Sequence, residues 1–454
     1  MHDVQDAVSF SQQFLQQRLD PVQALEHALE KANQNDSVYI RLCEERAFRE
    51  AWAAKARWDA GQPLSIFDGV PISWKDLYDL QGMQTTAGSA VLANSAMKKH
   101  DAVLVNQLTQ LGMVNLGKTN LSEFAYSGLG LNPFFGTPKN VYDPACIPGG
   151  SSSGAAISVG HGSVPIGMGS DTGGSVRIPA ALNGLVGYRS SHGRYSKQGV
   201  FELSKTLDTL GPLTHSVRDC WVLDQLITGN NLFKMPELPT RVNAFQFVVD
   251  PRILQHEKIA DAVKANFLDR IKWLKQQGCH VEYRPIDAFQ QSLDLIDQGL
   301  WLGSAEAFTK HEALLDSEQA EQIDPRIRQR LERSRNFPAS KQIRLYFLKQ
   351  QLQQQIQQEL QGCLLLTPTV MHTAPEIAPL EQDTELFFET NARTLRLTMP
   401  GSFLDMPAVT LPNGFCEKKR PTAWLISSFS GDDQRVLQAA YAIEQALQSN
   451  STDG

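Results

Sequence analysis

The chain lacks what would tie it to a membrane, to a disulfide framework or to nucleic acid. None of its 454 residues fall in an uninterrupted apolar run of the roughly 20 that a membrane-spanning helix needs. The opening residues, MHDVQDAVSFSQQF, carry neither a basic flank nor an apolar segment, so no export signal is expected. The 6 cysteines (Cys43, Cys146, Cys220, Cys279, Cys363 and Cys416) are widely spaced, with no C-x-x-C pair, which fits reduced thiols rather than disulfides or a zinc site. Acidic residues outnumber basic ones, 49 against 42, and a net charge of −7 speaks against nucleic acid or an anionic membrane as the main partner. The 10 histidines show no metal-ligand spacing. These absences describe a cytoplasmic globular protein without metal or cofactor.

What is present suits a large α/β fold. Hydrophobic residues make up 42% and charged residues 20%, and the length suffices for a sizeable core. Residues 1–62 read as N-terminal helices. Asp20-Pro21 is a cap with proline at the first helical position, and Val22, Leu25, Leu29 and Ala32 make one apolar face. A second helix through Ala47, Ala51, Ala54 and Trp58 stops at Gly61. Over 63–230, short apolar runs cut by glycine and proline alternate with helical patterns, as in a sheet covered on both faces. Gly69-Val-Pro-Ile-Ser-Trp-Lys75-Asp76 reads as a strand that delivers a lysine to the interior. A further unit follows, with a strand over 244–249, a helix over 259–277 and a strand over 280–283. Residues 286–362 are polar, rich in Gln and Arg, and form a helical excursion in which Leu345, Leu348, Leu352, Ile356 and Leu360 line one face. Residues 363–454 return to strands, near 364–369 and 407–412, and end in a helix over 432–448. With no internal repeat and no linker, one domain over 1–454 is expected.

Several literal motif matches are decoys. Gly112-Met-Val-Asn-Leu-Gly117-Lys118-Thr119 spells a phosphate loop, but the intervening residues are strand-like and a helix precedes them. Ser95-Ala-Met-Lys98 runs into further basic residues and reads as surface. The arginines at 326, 328, 330, 333 and 335 read as the wet face of a helix, with the grip on an acidic substrate as the sharper alternative.

The segment 149–179, GGSSSGAAISVGHGSVPIGMGSDTGGSVRIP, is no spacer, because it encloses Ile157, Val159, Val164, Ile166 and Met168 between two glycine-serine clusters. It predicts a short buried helix, then a strand. Glycine lets backbone N–H groups crowd toward one developing negative charge, so a nucleophile beside an oxyanion cradle is the leading reading. Gly150-Ser151-Ser152-Ser153-Gly154 also spells a nucleophile elbow with Ser152 as nucleophile, although two prolines occupy the place of the strand it needs.

The chain resembles the amidase signature family of serine hydrolases. The matching segments are Gly69 to Asp76, Gly117-Lys-Thr-Asn120, Pro148-Gly-Gly-Ser-Ser152, Gly169-Ser-Asp-Thr-Gly-Gly-Ser-Val-Arg177 and Gly211-Pro-Leu, with Leu366-Thr-Pro-Thr and Pro407-Ala-Val-Thr-Leu-Pro farther on. The resemblance implies a single α/β domain with a mixed β-sheet core covered by helices on both faces. It implies a catalytic set of Lys75, Ser151 in a cis peptide, and Ser175. The oxyanion hole falls to the amides of Thr172, Gly173, Gly174 and Ser175. Asp171 and Arg177 are expected to brace the loop, Ser152 to support the lysine, and Gly149 and Gly150 to form the tight turn. Ser153 departs from the glycine of many relatives, and Arg189-Ser-Ser-His-Gly from a more usual turn. The implied activity is hydrolysis of a small-molecule carboxamide to a carboxylate and ammonia or an amine. The alternatives are the glutaminase (A) subunit of a tRNA-dependent amidotransferase, and an inactive binding protein on the same scaffold. The implied partner is the amide substrate, with a homodimer as the base-rate assembly. The acyl pocket is expected to include Phe124, Tyr126, Leu129 and parts of 300–345.

Overall fold

The computed structural model describes residues 6–238 and 241–452; the ends of the expected 1–454 domain and residues 239–240 lie outside the described residues. Among the described residues eleven strands join in one mixed sheet in the order β1-β3-β2-β4-β6-β5-β10-β11-β9-β7-β8. In chain order these are β1 (Tyr39–Leu42), β2 (Pro71–Lys75), β3 (Val114–Thr119), β4 (Ile166–Asp171), β5 (Val186–Arg189) and β6 (Thr209–Thr214). The remainder are β7 (Gln246–Val249), β8 (His280–Tyr283), β9 (Leu364–Pro368), β10 (Ala408–Phe415) and β11 (Pro421–Ser427). Parallel pairs β3-β2-β4 and β9-β7-β8 flank an antiparallel centre, β4-β6-β5-β10-β11-β9.

Period-two alternation sends side chains to the two faces. Phe247, Val249, Leu364 and Leu366 join Ile72, Trp74, Ile166 and Met168 in one core. Val248 and Leu365 point to the other side, where helices of the 286–362 excursion pack. The predicted helices form at Pro21–Asn33, Glu44–Asp59, Asp261–Gln276 and Ala339–Leu360, and Val22, Leu25, Leu29 and Ala32 are buried as their spacing requires. Reading the first 60 residues as purely helical misses β1, a four-residue edge strand that pairs antiparallel with β3. Strand β11 is a second element that the sequence pattern does not announce.

Candidate active site

Strand β2 ends at Lys75. Ile72 and Trp74 fill one core, so alternation puts Ser73 and Lys75 on the opposite face, where Ser73 meets Ser158 of the helix Ser153–Gly160 at 2.8 Å. Lys75 is fully buried. Its Nζ donates to Ser151 Oγ at 2.6 Å and to Ser170 Oγ at 2.9 Å. Both partners are neutral hydroxyls. Burial therefore dominates and pulls the amine down to about 7, against the weaker opposing pull of Asp208 and Asp171.

Ser151 follows a cis peptide bond from Gly150. Gly149 has φ +75°, and a Cβ on Gly150 would stand 2.6 Å from Gly130 N, so the turn admits no larger residue there. The turn is clamped by Gly150 N donating to Gly128 O at 2.8 Å and by Ser122 N donating to Ser151 O at 3.2 Å.

Strand β4 runs into the second glycine-serine cluster. Asp171 is fully buried between two guanidiniums. Arg177 binds it in a fork, Nε to Oδ2 at 2.9 Å and Nη2 to Oδ1 at 2.8 Å, while Arg189 Nη1 reaches Oδ1 at 3.3 Å and the Asp171 carbonyl at 2.7 Å. The arginines hold its carboxyl well below the usual carboxylate range against the opposing effect of burial. Asp171 Oδ2 also accepts the amides of Val176 and Arg177, at 3.2 and 3.4 Å. The intervening amides of Thr172, Gly173, Gly174 and Ser175 donate no hydrogen bond among the described residues. Four uncommitted amides on a loop pinned at its base can cradle a developing oxyanion. Gly174 has φ +140°, and a Cβ there would fall 2.2 Å from Thr398 Oγ1, whose hydroxyl donates to Gly173 O at 2.6 Å.

Ser175 is 5% exposed, and its carbonyl accepts Ser152 N at 3.2 Å. Its hydroxyl makes no hydrogen bond among the described residues, so Lys75 and Ser151 are joined side chain to side chain and Ser175 is joined to them through backbone. Ser152 makes no hydrogen bond to the Lys75 amine among the described residues. It brackets the backbone of Ser170, Oγ to O at 3.3 Å and N to Oγ at 3.4 Å, and so supports the lysine at one remove. Among the described residues no strand runs directly into Gly150, as an elbow at Ser152 would need. Ser153 opens its helix without positive φ, so the departure from glycine brings no left-handed strain.

Three residues join the site to which the sequence assigns no role. Ser170 lies inside a quoted motif. Arg189 figures in the sequence only as a departure from the usual turn. Asp208, buried and raised by that burial, accepts Thr172 Oγ1 and the amides of Leu203 and Ser204, holding the cradle from the far side. The decoys resolve as expected: Lys118 lies within β3 and pairs with Asp76 at 2.5 Å, and Lys98 pairs with Asp79 at the surface.

A family model described as Amidase matches residues 20–437. A 2-amino-5-chloromuconic acid deaminase of Comamonas testosteroni is 31% identical over 418 residues, 88% of this chain and 87% of that protein. The A-type subunit of a glutamyl-tRNA(Gln) amidotransferase from Alkaliphilus metalliredigens is 28% identical over 472 residues, 94% of this chain and 93% of that protein. A crystal structure of an amidase superposes with a TM-score of 0.86 at 28% identity, covering 97% of this chain and all of the other.

Proposed function

The chain belongs to the amidase signature family of amide C–N hydrolases, and from that premise we propose that it cleaves a small-molecule carboxamide through an acyl-Ser175 intermediate, releasing a carboxylate and ammonia or an amine. Neutral Lys75 takes the Ser151 proton, Ser151 takes the Ser175 proton, and Ser175 Oγ attacks the carbonyl carbon. The amides of 172–175 receive the oxyanion, each such donor contributing about 3 kcal/mol. The proton returns through Ser151 to the leaving nitrogen, and water then cleaves the ester. Hydrogen bonds between catalytic groups commonly tighten only in the substrate complex, so the Ser151–Ser175 transfer is assigned to that complex.

The observation that carries this reading is the buried lysine amine whose only hydrogen-bond partners among the described residues are two hydroxyls, brought to about 7 and so able to act as a base at neutral pH. The test is ammonia release from a panel of carboxamides by wild type, Lys75→Ala, Ser175→Ala and Ser152→Ala, with mass spectrometry of the trapped acyl-enzyme. Lys75→Ala and Ser175→Ala are expected to lower kcat by about 10⁴ or more, with the acyl group on residue 175. An acyl group on Ser152, with Ser175→Ala active, would hand the reaction to the elbow serine. The near-complete alignment with the A-type component of an amidotransferase supports a second reading, in which the ammonia passes to a partner. Glutamine turnover that rises only on adding the other components of such an assembly would select it.

A further inference from the structure

Thr398 lies far along the chain from both glycine-serine clusters, yet it is fully buried against the oxyanion loop. It stands at the N-cap position of the helix Met399–Phe403. A threonine there ordinarily turns its side chain to the free amides of its own helix, but Thr398 makes no such cap. Its hydroxyl donates instead to Gly173 O at 2.6 Å. The rival acceptor, Leu395 O at 3.0 Å, already takes Thr398 N at 3.1 Å. Gly173 is buried, and its carbonyl has no other donor among the described residues. A buried carbonyl left unpaired is costly, so the single hydroxyl proton goes to Gly173.

In a trans peptide the carbonyl and the N–H of the next residue point in opposite directions. Fixing Gly173 O on Thr398 therefore aims the Gly174 N–H away from Thr398, and that N–H donates to nothing among the described residues. Two neighbouring planes are held in the same fashion. Asp171 O, which sets the Thr172 N–H, accepts Arg189 Nη1 at 2.7 Å and Thr209 Oγ1 at 3.2 Å. Gly174 O, which sets the Ser175 N–H, accepts Ile178 N at 2.7 Å. Those planes are anchored by the sheet and by the helix Arg177–Leu182. The plane between Gly173 and Gly174 joins the two residues least able to hold a backbone orientation alone, and one hydroxyl anchors it. The same stretch grips the base of the loop, for Arg177 donates from Nη1 to Thr398 O at 3.0 Å and from Nη2 to Ser402 Oγ at 2.8 Å.

We infer that Thr398 is a positioning residue of the oxyanion cradle, which holds the Gly173 carbonyl and thereby aims the Gly174 amide at the developing negative charge. A hydrogen bond to a peptide oxygen also polarises the plane and makes its N–H a stronger donor. Aim matters most in the transition state, where the charge on the substrate oxygen is greatest. This deepens the amidase reading and rests on it.

The experiment uses the carboxamide that wild type hydrolyses best. Thr398→Val, which puts a methyl in place of the hydroxyl, is expected to lower kcat about 10- to 100-fold and to change KM by less than about threefold. Thr398→Ser keeps the hydroxyl and is expected to stay within about threefold of wild type in kcat. A boronic acid carrying the same acyl group supplies a second readout. Ser175 Oγ adds to its boron, the proton passes by way of Ser151 to Lys75, and the anionic boronate presents an oxygen to the cradle. Its affinity for Thr398→Val is expected to fall by the same factor as kcat. The acid limb of the pH profile is expected to stay near about 7 in each variant, because the surroundings of Lys75 are unchanged. Should Thr398→Val fail to fold, Thr398→Ala makes the same comparison without the added methyl. A kcat within about twofold of wild type, a loss confined to KM, a loss that Thr398→Ser shares in full, or a displaced acid limb would each overturn the inference while leaving the hydrolase reading intact. Absence of ammonia from every amide with wild type would remove the hydrolase reading and this one with it.

Discussion

At the scale of single residues the proposed chemistry turns on how one amine is surrounded. A lysine in water is a cation near neutrality, and only desolvation, cationic neighbours or both bring it into range as a base. Burial does so for Lys75, with no carboxylate in hydrogen-bond contact to undo it. The sign of the pH dependence follows. Protonation on the acid side disables the base, so kcat/KM on a neutral amide should fall about tenfold per pH unit below about 7 and level off above it. Ser170→Ala removes an acceptor that binds the ammonium more strongly than the amine. It should move that limb to lower pH while lowering kcat about tenfold; a limb that stays put would show that Ser170 does not set the lysine's protonation. Much of this site is legible in the sequence, because Lys75, Ser151, Ser175 and the glycines sit in short local motifs. Ser170 is within view there but its role is not, since the reach of a strand-end side chain depends on register with β2.

At the scale of elements, the cradle is a loop pinned at its base by charge. Asp171 binds two fully buried guanidiniums, Arg177 beside its own loop and Arg189 from β5, which also faces Asp405 at 3.7 Å, and it accepts the amides that turn the chain into the helix Arg177–Leu182. Removing one partner from such a cluster leaves charge uncompensated. Asp171→Asn should destabilise the fold by about 3–5 kcal/mol in denaturant unfolding and abolish turnover even where folded protein is recovered. A loss under about 1 kcal/mol would mean that the arginines find other partners. Arg189 and Asp208 are not readable as braces from sequence, because β5 meets β4 only through β6. The same limit hides two strands. Tyr39–Leu42 is four residues at a sheet edge between two strong helical patterns, and β11, a hairpin partner of β10, is set in the sheet by its pairing with the sequence-distant β9. Long amphipathic helices are readable because their 3.6-residue period is local.

Over the whole molecule, the two ends of the described chain close on one helix of the signature core, Val217–Ile227. Asp6 binds Arg218 and Ser216, and Asp219 accepts the first amides of the helix Ala7–Leu15. From the other end, Glu444 of the terminal helix Asp433–Thr452 accepts Val217 N at 2.9 Å, while its Oε2 is buried with no partner among the described residues. Burial raises this carboxyl to about 8. The folded state thus binds its proton more tightly than the unfolded chain, in which Glu titrates near about 4.3. Stability is therefore expected to fall as pH rises between those two values, the opposite of the usual salt-bridged carboxylate. Glu444→Gln keeps an acceptor for Val217 N and removes the charge. It should raise the melting temperature by about 1–3 °C at pH 8, make little difference at pH 5, and so flatten the dependence between them. A variant that melts lower than wild type at both pH values would show instead that this carboxylate is ionised in the fold and held by Arg218, with the chain ends joined by charge rather than by burial.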